Sequence, residues 1–306
     1  MTLDQLVTLQ AVSAAKSFRR AAELLHLTQP AVSKQIRALE EELGARLFER
    51  GRSARLTQAG ETLLKHAERL SQILRSARDE LEDLRGLRRG HLSIGASHSV
   101  ATYVLPDLLE SYRRKYPQVT LSVEAGWTPH VLSRVLGNDL DLGLVVLVTP
   151  KPSDTSQFVS NPLDTTEVVF VASPKHPLAK KGQVTFEEFR EAPLILNQEG
   201  CLYRHFLETH FSERGFTMNV AVEVIGLELQ KRLTQLGLGV ALLPKPFVAK
   251  ELREKSLKTF AVKGVQIRSY SCLVYRRDKY LHGAMRAFVG MLPQAFPGAR
   301  IDSPPR

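Results

Sequence analysis

From Thr57 to about Leu87 the chain carries no proline, and Leu63, Ala67, Leu70, Leu74, Ala77, Leu81 and Leu84 recur at spacings of 4, 3, 4, 3, 4 and 3. That is a heptad repeat, which keeps a narrow apolar stripe on one side of a helix. A helix of about 30 residues reaches some 45 Å at 1.5 Å per residue. Lys65, Glu68, Arg69, Arg75 and Arg78 fall on its other faces. One narrow seam is too little to bury alone, so a second copy of the same helix is its expected cover; packing along its own downstream domain is the alternative. Arg85-Gly86-Leu87-Arg88-Arg89-Gly90 then breaks the helix and reads as a hinge. The rod divides the chain into a short N-terminal part and a long C-terminal one.

In the N-terminal part, Leu3, Leu6, Val7, Leu9 and Ala11 form a helical pattern able to support the two helices after it. Ser17 to Leu43 reads as two short helices joined by a tight turn around His26-Leu27-Thr28. In the second helix Val32, Ile36, Leu39 and Leu43 make the apolar stripe. Thr28 is placed to cap it, and Pro30 is tolerated because first-turn amides have no intrahelical partner. Pro30, Ser33, Lys34 and Arg37 fall on the free face, with Gln29 at its leading end. Amide, hydroxyl and cationic groups on a short exposed helix suit a DNA major groove. A plain solvated helix is the competing reading. Leu47 to Thr57 reads as two short strands around a glycine-centred turn carrying Arg50, Arg52 and Arg55. Beside a helix-turn-helix this is a wing, suited to phosphate contact or minor-groove insertion.

The formal net charge of +10 favours a polyanionic partner. No apolar run approaches the roughly 18–20 residues that span a bilayer. MTLDQLVTLQ is no secretory signal, and two cysteines, Cys201 and Cys272, fit a reducing cytoplasm. Beyond the hinge, strands and helices alternate as in an α/β domain with parallel sheet. Strands are expected at His91–Ala96, Val119–Glu124, Asp141–Val148, Glu167–Ala172, Leu194–Asn197, Val220–Ile225, Val240–Leu243 and Ser269–Tyr275. Helices are expected at Val100–Tyr116, Pro129–Leu136, Phe186–Phe189, Leu202–Arg214, Leu227–Gln235 and His282–Leu292. The proline-rich end from Pro293 reads as a mobile tail. Enzyme readings fare poorly: there is no phosphate-binding loop, nucleophile elbow or C-x-x-C, the nine histidines form no ligand pair, and no cofactor or metal is expected.

With these pieces in order, the chain resembles a LysR-type transcriptional regulator over nearly all its length. The most specific matches run from Ser17-Phe18 through Ala21-Ala22, Leu25 and Leu27-Thr28-Gln29-Pro30-Ala31-Val32-Ser33. They continue through Ile36, Leu39-Glu40, Leu43-Gly44, Leu47-Phe48 and Arg50 to Leu56-Thr57-Gln58-Ala59-Gly60. Looser matches follow at Leu92-Ser93-Ile94-Gly95, Tyr116-Pro117, Leu140-Asp141-Leu142-Gly143 and Gly237 to Pro244. The resemblance implies a multi-domain α/β protein: a winged helix-turn-helix (1–58), a coiled-coil linker helix (59–89) and a two-lobed effector domain like a periplasmic binding protein (90–306). Lobe I is expected at about 90–160 plus 268–293, lobe II at about 161–267, and the tail at 294–306. It also implies no enzymatic activity, dimers through Leu63–Leu84 that assemble into tetramers, promoter DNA and RNA polymerase as partners, and a small-molecule effector.

Carried over by position, Gln29, Pro30, Ser33, Lys34 and Arg37 face the operator, while Ser17, Arg20, Arg50, Arg52 and Arg55 hold phosphates. Lys34 stands where arginine is frequent in the family, and an ammonium lacks the two-pronged guanine contact. For the effector cleft the matching positions are Ser97, His98, Ser99, Trp127, Thr128, Thr149, Gln198, Cys201, Arg204, Gly226 and Phe247. Helix-start amides and hydroxyls at Ser97 to Ser99, with Arg204 turned inward, point to a small anionic effector. Simple helix capping is the bland alternative for Ser97 to Ser99. Cys201 lies close to where peroxide-sensing members carry a reactive thiol, which makes a redox switch a second reading. A transport solute-binding protein is a third, which would leave the DNA-reading half unexplained.

Overall fold

Hydroxyl side chains start each of the first three helices. α1 (Leu3–Ala15) begins on Thr2, which forms a reciprocal capping box with Gln5, and α2 (Phe18–Leu25) begins on Ser17. α3 (Gln29–Leu43) begins on Thr28, whose Oγ1 accepts from the Ala31 amide at 3.4 Å. The turn before it is held by the Leu27 amide donating to the Ala22 carbonyl at 2.9 Å, with His26 left-handed at φ 55°. These elements come from a computed structural model that describes residues 1–49, 54–83, 90–150 and 156–299. Arg50 and Arg52 of the wing, Leu84 of the heptad, the hinge at 85–89 and the tail from 300 lie outside the described residues. The chain divides into two compact units, Met1–Leu81 and Glu82–Arg306.

In the first unit Leu6, Leu9 and Val12 of α1, Ala21 and Ala22 of α2, and Val32, Ile36 and Leu39 of α3 close one core with Leu47 and Phe48. Leu43, the fourth residue of the expected stripe, stays 43% exposed, because α3 ends at once in left-handed Gly44 and the chain turns away. The two strands expected for the wing reduce, among the described residues, to one antiparallel bridge between Phe48 and Leu56. Glu40 of α3 anchors the first arm by accepting from the Leu47 and Phe48 amides at 2.7 and 3.3 Å. Next comes α4 (Gln58–Asp83), the long helix, 26 residues or about 39 Å. Its Gly60 lies against the hairpin so closely that a Cβ would stand 2.1 Å from the Leu47 carbonyl oxygen, so only glycine fits.

The heptad seam divides into a covered and an open part. Ala67 is fully buried in the helix-turn-helix core and Leu63 packs against it. Leu70, Leu74 and Leu81 remain 40%, 42% and 61% exposed, Ala77 is exposed, and Ile73, outside the heptad count, is 64% exposed beside them.

In the second unit β1 (Gly90–Ser97), α5 (His98–Tyr103), α6 (Leu105–Lys115), β2 (Val119–Gly126), α7 (Thr128–Leu136) and β3 (Leu142–Leu147) build one lobe. β4 (Phe158–Ala172) crosses to the other: α8 (Pro177–Lys181), β5 (Gln183–Val184), α9 (Phe186–Arg190), β6 (Leu194–Asn197), α10 (Leu202–Ser212), β7 (Val220–Val224), α11 (Leu227–Gln235), β8 (Ala241–Pro244), a 3-10 turn (Lys245–Val248), α12 (Ala249–Arg253) and β9 (Lys258–Val262). β10 (Ile267–Arg276) returns, and α13 (Gly283–Val289) and α14 (Leu292–Ala295) follow on the first lobe's side of the chain order. The main sheet runs β2-β1-β3-β10-β4-β9-β5, with β8 also on β4, and β6 pairs with β7.

The single helix expected over Val100–Tyr116 is two, because the Pro106 ring has no amide and crowds the preceding turn; α5 stops before it and α6 takes it into its own first turn. The expected parallel pairing holds for β1 with β2 and β3, whereas β10 lies antiparallel to both β3 and β4. β4 and β10 are the strands that carry the chain between lobes in opposite directions. β4 is continuous through the lobe boundary expected at 160/161.

Asp141, just before β3, accepts from the Ser93 amide and hydroxyl at 2.7 and 2.8 Å and pairs with Lys279 at 2.7 Å, with His282 at 3.7 Å. Burial opposes its ionisation, but the His282, Lys279 and Ser93 contacts outweigh that and hold the carboxyl well below its ordinary 3.8. A depressed folded-state value contributes stability that is present above 3.8 and lost as pH falls below it. Asp141→Asn leaves Lys279 buried without its counter-charge and is expected to cost about 3–5 kcal/mol at neutral pH. Thermal unfolding from neutral pH down to about 2 should show the wild-type advantage constant above about pH 5 and shrinking progressively as the pH falls below 3.8. A constant difference across that range would rule out the carboxylate as its source.

Candidate functional site

The exposed face of α3 carries the residues expected to read DNA. Gln29, Pro30, Lys34 and Arg37 are exposed and Ser33 is half-buried, while Val32, Ile36 and Leu39 on the opposite face are locked in the core. Gln29 Nε2 donates to Ser33 Oγ at 2.9 Å, so the amide is already oriented along the helix face. Ser17 caps α2 by accepting from the Arg20 amide at 3.4 Å, leaving the Arg20 side chain exposed. Arg55 is exposed on the hairpin's second arm. Four guanidinium or ammonium groups at Arg20, Lys34, Arg37 and Arg55 thus have no carboxylate partner among the described residues, unlike Arg19, which pairs with Glu23 at 3.3 Å.

The second unit holds a cleft between its lobes, with about 430 Å³ free of protein atoms and part of that open to solvent. It is lined by Ser97, His98, Ser99, Trp127, Thr128 and Val146 from one lobe, and by Asn197, Gly200, Cys201, Leu202, Tyr203, Gly226 and Leu227 from the other. Four helices therefore begin on it: α5 after Ser97, α7 after Trp127, α10 after Cys201 and α11 after Gly226, and none of the four has a side-chain cap. Of the other helices α1, α2, α3, α8, α9 and α13 are capped by their own side chains, while α6, α12 and α14, which begin away from the cleft, also lack such a cap. The first residues of four helices thus line one space, with the Tyr203 and Arg204 amides of α10 also directed at the Cys201 thiol.

Side-chain hydrogen bonds hold this geometry. Ser97 Oγ accepts from the Val146 amide at 3.1 Å and lies 3.1 Å from Thr128 Oγ1, which donates to the Val146 carbonyl at 2.9 Å. The two hydroxyls thereby stitch together the ends of β1, β3 and α7. Ser99 is buried on the cleft wall, and its hydroxyl has no partner among the described residues. Asn197 donates to Gln230 at 2.6 Å and accepts from the Gly226 amide at 2.9 Å, which fixes the start of α11. His98 stacks edge-on against Trp127 at 4.6 Å, and its burial lowers the imidazole's affinity for a proton. Gly200, at φ 90°, lets its loop rest on the Trp127 indole, where a Cβ would already be at 3.5 Å.

Seven of the expected cleft residues meet here: Ser97, His98, Ser99, Trp127, Thr128, Cys201 and Gly226. Four do not. Arg204 turns away, its guanidinium held by Glu208 at 2.8 Å, by Glu223 and by the Asn197 carbonyl at 3.2 Å. Phe247 stacks on Tyr103, Gln198 is exposed outside the lining, and Thr149 is exposed beyond the end of β3, whose Val146 takes its place. The family match also points to Leu227, beside Gly226, and to the stretch Gln198–Arg204 as a whole, but it does not single out Val146, Asn197 or, within that stretch, Gly200, Leu202 and Tyr203. Burial pushes the Cys201 thiol up, against a smaller opposing effect of the Arg204 and Tyr203 amides, which is the reverse of an activated thiolate. Among the described residues no cluster of three or more His, Cys, Asp or Glu side chains is arranged to hold a metal, and no helix is long and apolar enough to cross a membrane.

Two family models match the chain in this order: the bacterial regulatory helix-turn-helix protein of the lysR family over residues 3–61, and the LysR substrate binding domain over residues 85–297. The chain belongs to the LysR family of transcriptional regulators. Among relatives of this LysR regulator is the RuBisCO operon transcriptional regulator of Allochromatium vinosum, 34% identical over 295 residues that cover 94% of this chain and 95% of that one. Its fold is shared by a full-length OxyR variant from Pseudomonas aeruginosa, at TM-score 0.70 and 23% identity over 99% of both chains. CbnR complexed with its target DNA has the same fold at TM-score 0.63 and 21% identity, over 96% of this chain and 100% of that one. The protein is thus a promoter-binding transcriptional regulator with an N-terminal helix-turn-helix and a C-terminal effector-binding domain.

Proposed function

We propose that this LysR regulator senses a small anionic metabolite in the interlobe cleft and that its bound state alters how two or four copies engage and bend an operator. The reading rests on one observation: four uncapped helix N-termini open onto a single space. With Arg204 engaged elsewhere, no Lys or Arg among the described residues lines the cleft, so the anion is held by amides, dipoles and the free Ser99 hydroxyl. Each N-terminus stabilises an anion by roughly 0.3–1 kcal/mol, so four favour it over a neutral isostere by about 10- to 1000-fold. The α3 face of Gln29, Pro30, Ser33, Lys34 and Arg37 reads bases, with Ser17, Arg20, Arg50, Arg52 and Arg55 on phosphates. The exposed α4 stripe pairs two copies, the tetramer and a contact with RNA polymerase follow the family pattern, and the protein works in the cytoplasm. The named relative makes a RuBisCO operon the first candidate target.

Thermal-shift and calorimetric titration of carboxylate and phosphate metabolites, each beside its amide or methyl-ester counterpart, tests the effector class. Anions should bind and their neutral partners should not. Ser99→Ala should weaken the anion about 10-fold or more, the usual loss for a hydrogen bond to a charged group. Binding confined to the neutral partners, with Ser99→Ala without effect, would overturn the assignment.

A further inference from the structure

The helices that open onto the cleft also meet a second time, away from it. Tyr103 ends α5, one short helix beyond Ser97–Ser99. Its ring stacks on Phe247 of the other lobe with centroids 4.4 Å apart and planes 11° from parallel. Its hydroxyl donates to Glu228, in the first turn of α11 immediately after the cleft-lining Gly226 and Leu227. Lys231, one turn further, lies 5.4 Å over the Tyr103 ring. That ammonium is itself fixed by Glu228 and Glu251, both at 2.9 Å, and by the Phe247 carbonyl at 3.1 Å, and its side chain is only 8% exposed. The second lobe therefore presents a rigid socket, and a single residue of the first lobe fills it. On another part of the cleft rim, Trp127 of the first lobe rests on Gly200 of the second.

From this geometry we propose that Tyr103 is a positioning residue of the effector cleft: docked in the Phe247–Glu228–Lys231 socket, it holds α5 and α11 at the spacing that aims their first-turn amides at one ligand. Opening the cleft then requires Tyr103 to leave the socket, with β4 and β10 as the connections that bend. The inference rests on the cleft being the effector site but not on the effector's charge. The burial that helps seat the ring, together with the Glu228 contact, also pushes its hydroxyl up to about 12, so it stays a donor throughout the physiological range.

Trp127 is the only tryptophan in the chain, which makes it a reporter of the cleft without any ligand. Acrylamide quenching of Trp127 is compared in the full-length wild type, Tyr103→Leu, Tyr103→Phe and Glu228→Ala. If Tyr103 holds the lobes together, Tyr103→Leu raises the quenching constant about twofold or more in folded protein, and Glu228→Ala and Tyr103→Phe, which each lose the hydroxyl–carboxylate bond but keep the stack, fall between it and the wild type. Quenching equal to wild type in the folded variants overturns the proposal. Should Tyr103→Leu not fold, Glu228→Ala decides, since Lys231 keeps Glu251 and the Phe247 carbonyl. A second arm repeats the series with inorganic phosphate. Loss of phosphate protection in every protein, wild type included, while the acrylamide difference persists, removes the anion reading and leaves the Tyr103 role standing.

Discussion

Arg37→Ala is expected to weaken operator binding by about 30-fold to 25,000-fold, because a well-placed base contact is worth roughly 1–3 kcal/mol and a dimer loses it in both half-sites. Arg37 lies one turn beyond Ser33 on the exposed side of α3 and has no ion pair among the described residues, so its guanidinium is available to DNA. The opposite side of the same helix, Val32, Ile36 and Leu39, carries the packing, so helix content and unfolding midpoint should stay as in the wild type. Gln29→Ala should cost less, about 10-fold, since in free protein Gln29 must first give up its 2.9 Å bond to Ser33. Gel-shift titrations at fixed salt, with circular dichroism as the fold control, measure both. Unchanged affinity in Arg37→Ala would show that α3 does not enter the groove by this face.

The second large effect concerns α4. Leu74→Glu combined with Leu81→Glu should convert the protein to monomers, with the dimer weakened at least about 1000-fold. Each buried leucine is worth roughly 1.5–3 kcal/mol, and a symmetric dimer loses four of them. Operator affinity should fall with the dimer, because two half-site contacts on one rigid body bind far better than one. These positions are chosen because they are exposed in the single chain, at 42% and 61%, in line with Leu70 and Ile73. Ala67 belongs to the same heptad but is fully buried in the helix-turn-helix core, so Ala67→Glu should unfold that unit instead. Sedimentation equilibrium separates the two behaviours. A double variant that still sediments as a dimer would place the interface elsewhere.

Much of the DNA-reading unit is readable from residues in sequence order because its determinants are local. Thr28, Pro30 and the Val32–Ile36–Leu39 spacing fix where α3 starts and which side it buries, and all of that acts within a few turns. Leu43 departs from the pattern for an equally local reason, the helix end at Gly44. The effector half is different. Ser97, Trp127, Cys201 and Gly226 are each visible as residues before helices, but Val146, Asn197 and Tyr203 become wall residues only when β3, β6 and α10 are brought around one space. Arg204 shows the limit most plainly. Its position in the loop suggests an inward cation, and only the presence of Glu208 one turn on and Glu223 on the neighbouring strand turns it away.

Taken alone, the sequence determines the order of parts, the long helix and its apolar repeat, and the polar face of α3, since periodicity and capping depend on neighbours along the chain. Tertiary structure alone decides which heptad residues remain open to a partner, that four helix starts share one cleft, and that Tyr103 seats against Phe247 and Glu228. Those facts depend on contacts between distant residues, such as Tyr103 with Glu228, 125 positions apart, and with Phe247 further still. No spacing along the chain encodes such contacts, because they arise only when separate elements compete to bury their surfaces against one another.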